Sequence, residues 1–269
     1  MTVSQLTSRD NPLLKTVRLI SAGSKRAPEN LVLAEGVRVL EEAVKAGHAI
    51  EAAIFSENFG ATARESALLE SWRLSRVRLY EVSERIFKTA SSVQTPQGAL
   101  ALVKVQDNSL TDIVPARNPL IVYAGGIQDP GNLGTLIRTA AAASATMVCT
   151  EKGTVSARNP KTIRASAGTF FHLVPVENVD IDRFLEYCHR NSIRPYRTDA
   201  REGINYYEKD LRSPCAIMLG NEGSGMDSKK LAEVLPIRIP MNEKIESLNV
   251  AIAGAVILFE AAKQRSGYD

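Results

Sequence analysis

The sequence predicts an α/β protein in two parts: a smaller amino-terminal α/β domain (1–105), a linker (106–119) and a carboxyl-terminal α/β domain (120–269). Three observations support this. Short apolar runs alternate with amphipathic stretches in both halves, the pattern of mostly parallel sheets covered on both faces. The stretch QDNSLTDIVPARNP (106–119) is polar and holds two prolines, as interdomain linkers do. The chain has 269 residues, 44% hydrophobic and 23% charged, enough to bury a core in one large domain or two ordinary ones.

In the first half, strands are expected at 31–34, 52–55, 78–82 and 98–105. Helices are expected at 37–46, where Val37, Leu40, Ala43 and Val44 recur at helical spacing, and at 61–74. Ser83 is a candidate cap for a further short helix. In the second half, strands at 120–124, 146–150, 172–176, 193–198, 216–219 and 237–239 alternate with helices. The helices are expected at 131–145, 160–165, 181–191, near 228–233 and at 247–263. Parallel sheets bind ligands where the carboxyl ends of strands run into loops. The loops after Ala124, Leu219 and Ile239 are therefore the ones to read for chemistry.

Net charge is only +3, but residues 1–26 carry +4 and residues 151–172 carry +3. Such stretches are either solvated surface or phosphate contacts. Cys149, Cys188 and Cys215 are far apart, form no CxxC pair and lie in apolar surroundings, so buried free thiols are expected rather than disulfides or zinc ligands. His48, His172 and His189 do not cluster, and no metal site is expected. Trp72 and the Tyr206–Tyr207 pair are open to base stacking or to packing. The amino terminus has no apolar signal region, and the longest apolar run, 250–259, is too short to span a bilayer. A cytoplasmic protein is expected.

The first loop, GGIQDPGNLGTLIR (125–138), holds a turn signal, with Asn132 as candidate cap of the helix that follows. Arg138 is a lone cation on an alanine-rich helix: it either snorkels to water or aims at a phosphate or carboxylate. The second loop, LGNEGSGM (219–226), has glycines at 220, 223 and 225 that let backbone N–H groups approach a ligand. Its order is G-x-x-G-x-G, no GK[ST] follows and Glu222 would repel phosphate, so neither a dinucleotide fingerprint nor a P-loop is present. A ligand with neutral or cationic parts suits it. The third, IPMNEKIESLN (239–249), has Ser247 as candidate cap of the last helix. That helix is apolar nearly all round, so it needs a second buried surface, in a partner subunit or within the monomer.

Together these loops resemble the SpoU/TrmH family of RNA 2′-O-ribose methyltransferases, within the SPOUT superfamily. Asn132, Gly134 and Arg138 in DPGNLGTLIRTA resemble its first motif, LGNEGSGM its second, and IPM with ESLNVAIA its third; NPKTIRASAGTFFHLVPV (159–176) is also similar to family sequence. Residues 1–105 resemble, more loosely, the substrate-binding domain of many members. The resemblance implies a SPOUT domain with a deep trefoil knot, a homodimer, S-adenosylmethionine as cofactor and RNA as substrate, with ribosomal RNA of the 23S type favoured. It places Thr198, Gly220, Asn221, Ile239 and Leu248 at the cofactor, and Asn132, Arg138, Glu222, Ser247 and Asn249 in catalysis. One departure is Glu243, where many members have glycine. Arg138 is too basic to act as a base. It is expected to stabilise the forming alkoxide or to relay a proton to a phosphate. Ser247 and Asn249 would hold the ribose or cofactor, and Glu222 would orient Arg138 or Asn132. Alternatives left open are a transfer-RNA ribose methylase, a base-methylating SPOUT enzyme and a non-catalytic RNA-binding factor for ribosome assembly.

Overall fold

The computed structural model describes residues 3–220 and 231–266. Its contacts sort into two units, residues 1–107 with 158–172, and residues 108–157 with 173–269.

The first unit begins with strand β1 (Ser4–Leu6) and helix α1 (Pro12–Ser21). Then follow β2 (Leu31–Glu35), α2 (Val37–Lys45), β3 (Ile50–Ser56), α3 (Ala63–Leu74), β4 (Leu79–Val82), α4 (Glu84–Ala90) and β5 (Ala99–Lys104). The strands form one sheet in the order β1-β4-β3-β5-β2. It is mixed rather than mostly parallel, because β5 inserts between β3 and β2 and runs antiparallel to both. Hydrophobic alternation marks which segments are strands but carries no information on their direction.

Neither β1 nor α1 was anticipated within the basic stretch 1–26. Yet α1 has a clear start: the Asn11 side chain accepts from the Leu13 N–H at 2.9 Å and Pro12 occupies the first turn. Its Leu14, Val17 and Ile20 join Leu33, Ile54, Phe87, Leu100 and Leu102 in the core. Helix α3 starts on a capping box between Thr62 and Glu65. Trp72, fully buried, stacks on Phe59 with centroids 6.4 Å apart, so it is a core residue and not a platform for bases.

The second unit contributes β6 (Leu120–Ala124), α5 (Pro130–Ala142) and β7 (Met147–Thr150). The chain then passes through α6 (Pro160–Ala165) and a 3-10 turn, Thr169–Phe171, both within the first unit. It returns with α7 (Ile181–Arg190), β8 (Arg194–Thr198), β9 (Ile204–Asn205), β10 (Cys215–Leu219), β11 (Leu235–Arg238) and α8 (Val250–Ser266). This sheet is parallel throughout, in the order β7-β6-β10-β8-β11-β9. The strands β6 and β10, LIVYA and CAIML, are buried along their whole length, as central parallel strands require. Tyr123 packs on Phe184 at 4.5 Å and donates its hydroxyl to the Val179 carbonyl at 3.0 Å. All three cysteines are buried and unbridged, and burial raises their thiol pKa values, Cys188 to about 12, which keeps them protonated. Among the described residues, no helix is long and apolar enough to cross a membrane.

Two expected elements differ. The strand at 172–176 does not form; only Val176 bridges to Cys149. Residues 228–230 of the expected helix lie outside the described residues, and 231–233 form a turn.

Residues 158–172 were placed with the second half by sequence but pack with the first unit. Glu35, 2% exposed, explains part of this. Its carboxylate accepts from the Ser91 hydroxyl, from the Ser92 hydroxyl at 3.0 Å and N–H at 3.3 Å, and from Arg164 at 3.5 Å. Arg158 donates to the Glu29 carbonyl at 2.6 Å and the Gln106 carbonyl at 3.2 Å, and pairs with Asp107. The histidines add to it: His172 pairs with Glu42 at 2.8 Å, and the two ring nitrogens of His48 face the Lys104 and Phe171 carbonyls. Arg158 and Arg164, cations of the basic stretch 151–172, therefore have structural partners.

Candidate active site

The start of α5 follows from its sequence, though not through the residue expected. Asp129 is the cap: its carboxylate accepts from the Asn132 N–H at 2.8 Å, and Pro130 occupies the first turn. That leaves the Asn132 side chain free for other work. At α8 the capping group is Asn249, whose Oδ1 accepts from the N–H of Ala251 at 3.0 Å and of Ile252 at 3.3 Å. Ser247, the expected cap, is exposed and precedes the helix.

The two asparagines meet. Asn249 Nδ2 donates to Asn132 Oδ1 at 3.0 Å, joining residues 117 positions apart. The helices then run side by side in the same direction, with Gly254 of α8 against Leu136 of α5. A Cβ at Gly254 would lie 2.6 Å from the Leu136 side chain and 3.0 Å from that of Leu219. Two helix amino termini thus converge near the carboxyl end of β10. The partial positive charge of the two helix starts favours an anion there. Arg138 lies two turns into α5, about 9 Å along the axis from Asn132. It is exposed and pairs with no described residue.

Strands β10, β8 and β11 are neighbours, so their carboxyl ends form one edge. Thr198 closes β8 and donates its hydroxyl to the Met218 carbonyl at 3.1 Å. Gly220 follows β10, and Ile239 follows β11. All three are half-buried, as is Leu248. The Gly125 N–H donates to the Leu219 carbonyl at 2.8 Å, which ties the first loop to the second. Gln128 Nε2 joins that loop to the one after β7 through the Gly153 carbonyl at 2.7 Å, a link nothing in the sequence marks. Asn221 and Glu222 lie outside the described residues.

The connection from β8 to β9 is unusual. Thr198 and Ile204 both register with Ile237, so residues 199–203 cross over β11 from one side to the other. Gly203 has φ +105°, and a Cβ there would sit 2.4 Å from the Pro236 carbonyl oxygen, so only glycine fits the crossing. Asp199 organises the turn. Its Oδ1 accepts from the N–H groups of Arg201 and Glu202, both at 2.9 Å, and its Oδ2 pairs with Arg197 at 2.6 Å. Burial opposes this carboxylate, but those two N–H bonds and the guanidinium outweigh it and hold its pKa below the ordinary aspartate value.

Among the described residues, the donor set along this edge is a hydroxyl, a glycine and apolar side chains. It fits an uncharged base and its sugar, such as the adenosine part of S-adenosylmethionine. The converging helix starts and Arg138 fit a phosphate backbone.

Comparison with known proteins gives the same picture. Residues 119–259 match the SpoU rRNA Methylase family, and residues 11–101 match the MRM3-like substrate binding domain. The chain is 30% identical over 258 residues to the 23S rRNA (guanosine(2553)-2'-O)-methyltransferase RlmP of Bacillus subtilis (strain 168), covering 96% of this chain and 98% of that protein. The AdoMet-bound rRNA methyltransferase from Sinorhizobium meliloti superposes with a TM-score of 0.85 at 26% identity, over 97% of this chain and 98% of that one. A solved RNA 2'-O ribose methyltransferase gives 0.81 at 32%, over 97% and 99%. The chain belongs to the SpoU rRNA methylase family.

Proposed function

We propose that this protein transfers the methyl group of S-adenosylmethionine to a ribose 2′-hydroxyl of ribosomal RNA, of the 23S type. The observation that carries this reading is the Asn132–Asn249 bond. It joins the first motif to the third, beside strand ends whose donors fit an adenosine. The names of the relatives supply the acceptor: RlmP acts on 23S rRNA.

When bound, S-adenosylmethionine supplies a methyl activated on a sulfonium. Thr198, Gly220, Ile239 and Leu248 are the described residues that would hold it, and Asn221 is assigned there by motif alone. The ribose hydroxyl is a weak nucleophile, so positioning and charge stabilisation are the protein's main contributions. An arginine side chain is too basic to serve as the base, but the Arg138 guanidinium, which pairs with no described residue, is available to the target phosphate and to the forming alkoxide. Asn132 and Asn249 fix each other's side chains, and the helix starts behind them attract the RNA backbone. Ser247 is exposed beside them and available to the ribose. Glu222, outside the described residues, keeps the role the motif implies, orienting Arg138 or Asn132.

The active form is a homodimer. Helix α8 leaves Ile252 and Phe259 about half exposed, at 51% and 52%, and their spacing of seven puts them on one face. The crossing of 199–203 over β11 supports the trefoil-knotted SPOUT topology. Unbridged buried thiols suit a reducing compartment, the cytoplasm.

The test is transfer of tritiated methyl from S-adenosylmethionine to ribosomal RNA by the purified protein, with ribose methylation mapped in cells with and without it. One methylated ribose of the large-subunit RNA disappears when the protein is absent. Labelling of transfer RNA instead would redirect the reading, and no labelling of any RNA would leave a binding factor.

A further inference from the structure

The turn after Thr198 is built more firmly than a surface connection needs to be. Residues 199–203 pass over β11 at Pro236. Asp199 fixes the start of this passage through two backbone N–H bonds and an ion pair with Arg197, both side chains about a quarter exposed. Farther on, Arg238 of β11 donates to the Asn205 side chain at 3.2 Å and to the Arg201 carbonyl at 3.3 Å. The crossing is thus tied at its start to β8 and along its length to β11. Asp199 directly follows β8, two positions after Arg197, and its N–H still donates to the Ile237 carbonyl at 3.0 Å, so the two share a face and Thr198 between them points the other way. That opposite side is where the Thr198 hydroxyl meets the Met218 carbonyl, two residues before Gly220.

We infer that the Arg197–Asp199 pair is a positioning latch for the cofactor: it locks the crossing over β11, and so fixes the spacing of Thr198, Gly220 and Ile239. Neither side chain touches the ligand. The latch acts by holding three neighbouring strand ends in register, so that binding does not have to order them. This rests on the reading of the site as one for S-adenosylmethionine.

The test is calorimetric binding of S-adenosylhomocysteine to the full-length protein carrying Arg197→Met, Asp199→Asn or both. Asparagine keeps the acceptor for the turn and removes only the charge, so this variant folds even where a larger change would not, and thermal melting checks that. Each single substitution weakens binding about tenfold, and the double variant is no weaker than either single one, because partners in one interaction are not additive. In transfer assays the KM for S-adenosylmethionine rises while the KM for RNA does not, a split that general destabilisation would not produce. Unchanged affinity in both single variants overturns the latch alone. Additive losses overturn the pairing and leave two separate structural residues. A wild-type protein that fails to bind the ligand overturns the latch together with the proposed function.

Discussion

At the scale of single residues, the site depends on which asparagines are free and which are committed. Asn249 caps α8 with its oxygen and holds Asn132 with its nitrogen, so one amide serves stability and geometry together. Asn249→Ala removes both. A lost cap costs about 1 kcal/mol, measurable by denaturant melting, and methyl transfer falls further than stability because Asn132 is released. Arg138→Ala has the opposite profile. With no described partner to lose, its stability stays within about 0.5 kcal/mol, while transfer is lost and S-adenosylmethionine still binds by calorimetry. Retained transfer would remove Arg138 from the chemistry. The sequence named Asn132 and Asn249, whose side chains the fold joins, and Arg138 on the same helix as Asn132. It misjudged the caps, because a cap depends on where the backbone leaves helical dihedrals: Asp129 and Asn249 stand at those points, not Asn132 and Ser247. The Arg197–Asp199 pair gave no signal, being two ordinary charges at a strand end.

At the scale of elements, the long apolar helix resolves into two faces. Val250, Ala251, Gly254, Ile257, Leu258 and Ala261 are buried, and Gly254 sets how closely α8 approaches α5 and β10. Gly254→Val would force those elements apart at the point where the two helix starts meet. Overpacking of this kind costs about 1–3 kcal/mol, and here it should also reduce transfer, because Asn132 and Asn249 separate. A variant with wild-type melting and activity would show that the contact is slack. The central strands β6 and β10 were plain in the sequence because both faces are apolar. The strand expected at 172–176 was not real. His172 is committed to Glu42, and the turn Thr169–Phe171 precedes it, so the apolar residues there pack without a ladder. Helix α1 lies in a basic stretch whose charges mask its apolar face of Leu14, Val17 and Ile20, which recur every third residue.

At the scale of the whole molecule, acid is expected to weaken the fold. Hydrogen bonds from Arg64, Lys45 and Lys104, respectively, hold the Glu41, Glu42 and Glu51 carboxyls below their ordinary value of 4.5. Asp199 likewise lies below 3.8. A carboxyl depressed in the folded state contributes stability that is complete above its unfolded value and is lost as pH falls through the folded one. The loss therefore sets in below about pH 4, and each surface pair adds little. Urea midpoints measured from pH 7 down to pH 3 should be level at first and then fall; a level profile throughout would mean these pairs are idle. The excursion of 158–172 was not legible in the sequence, since only tertiary contacts reveal it. That excursion means the amino-terminal unit is not a separable module. A fragment cut at residue 107 would keep every strand of its sheet yet strand the Glu35 carboxylate without Arg164, and it should aggregate or melt early. The same fragment with residues 158–172 supplied as a peptide should regain a cooperative transition. Transplanting the domain between proteins would thus require two grafts, not one.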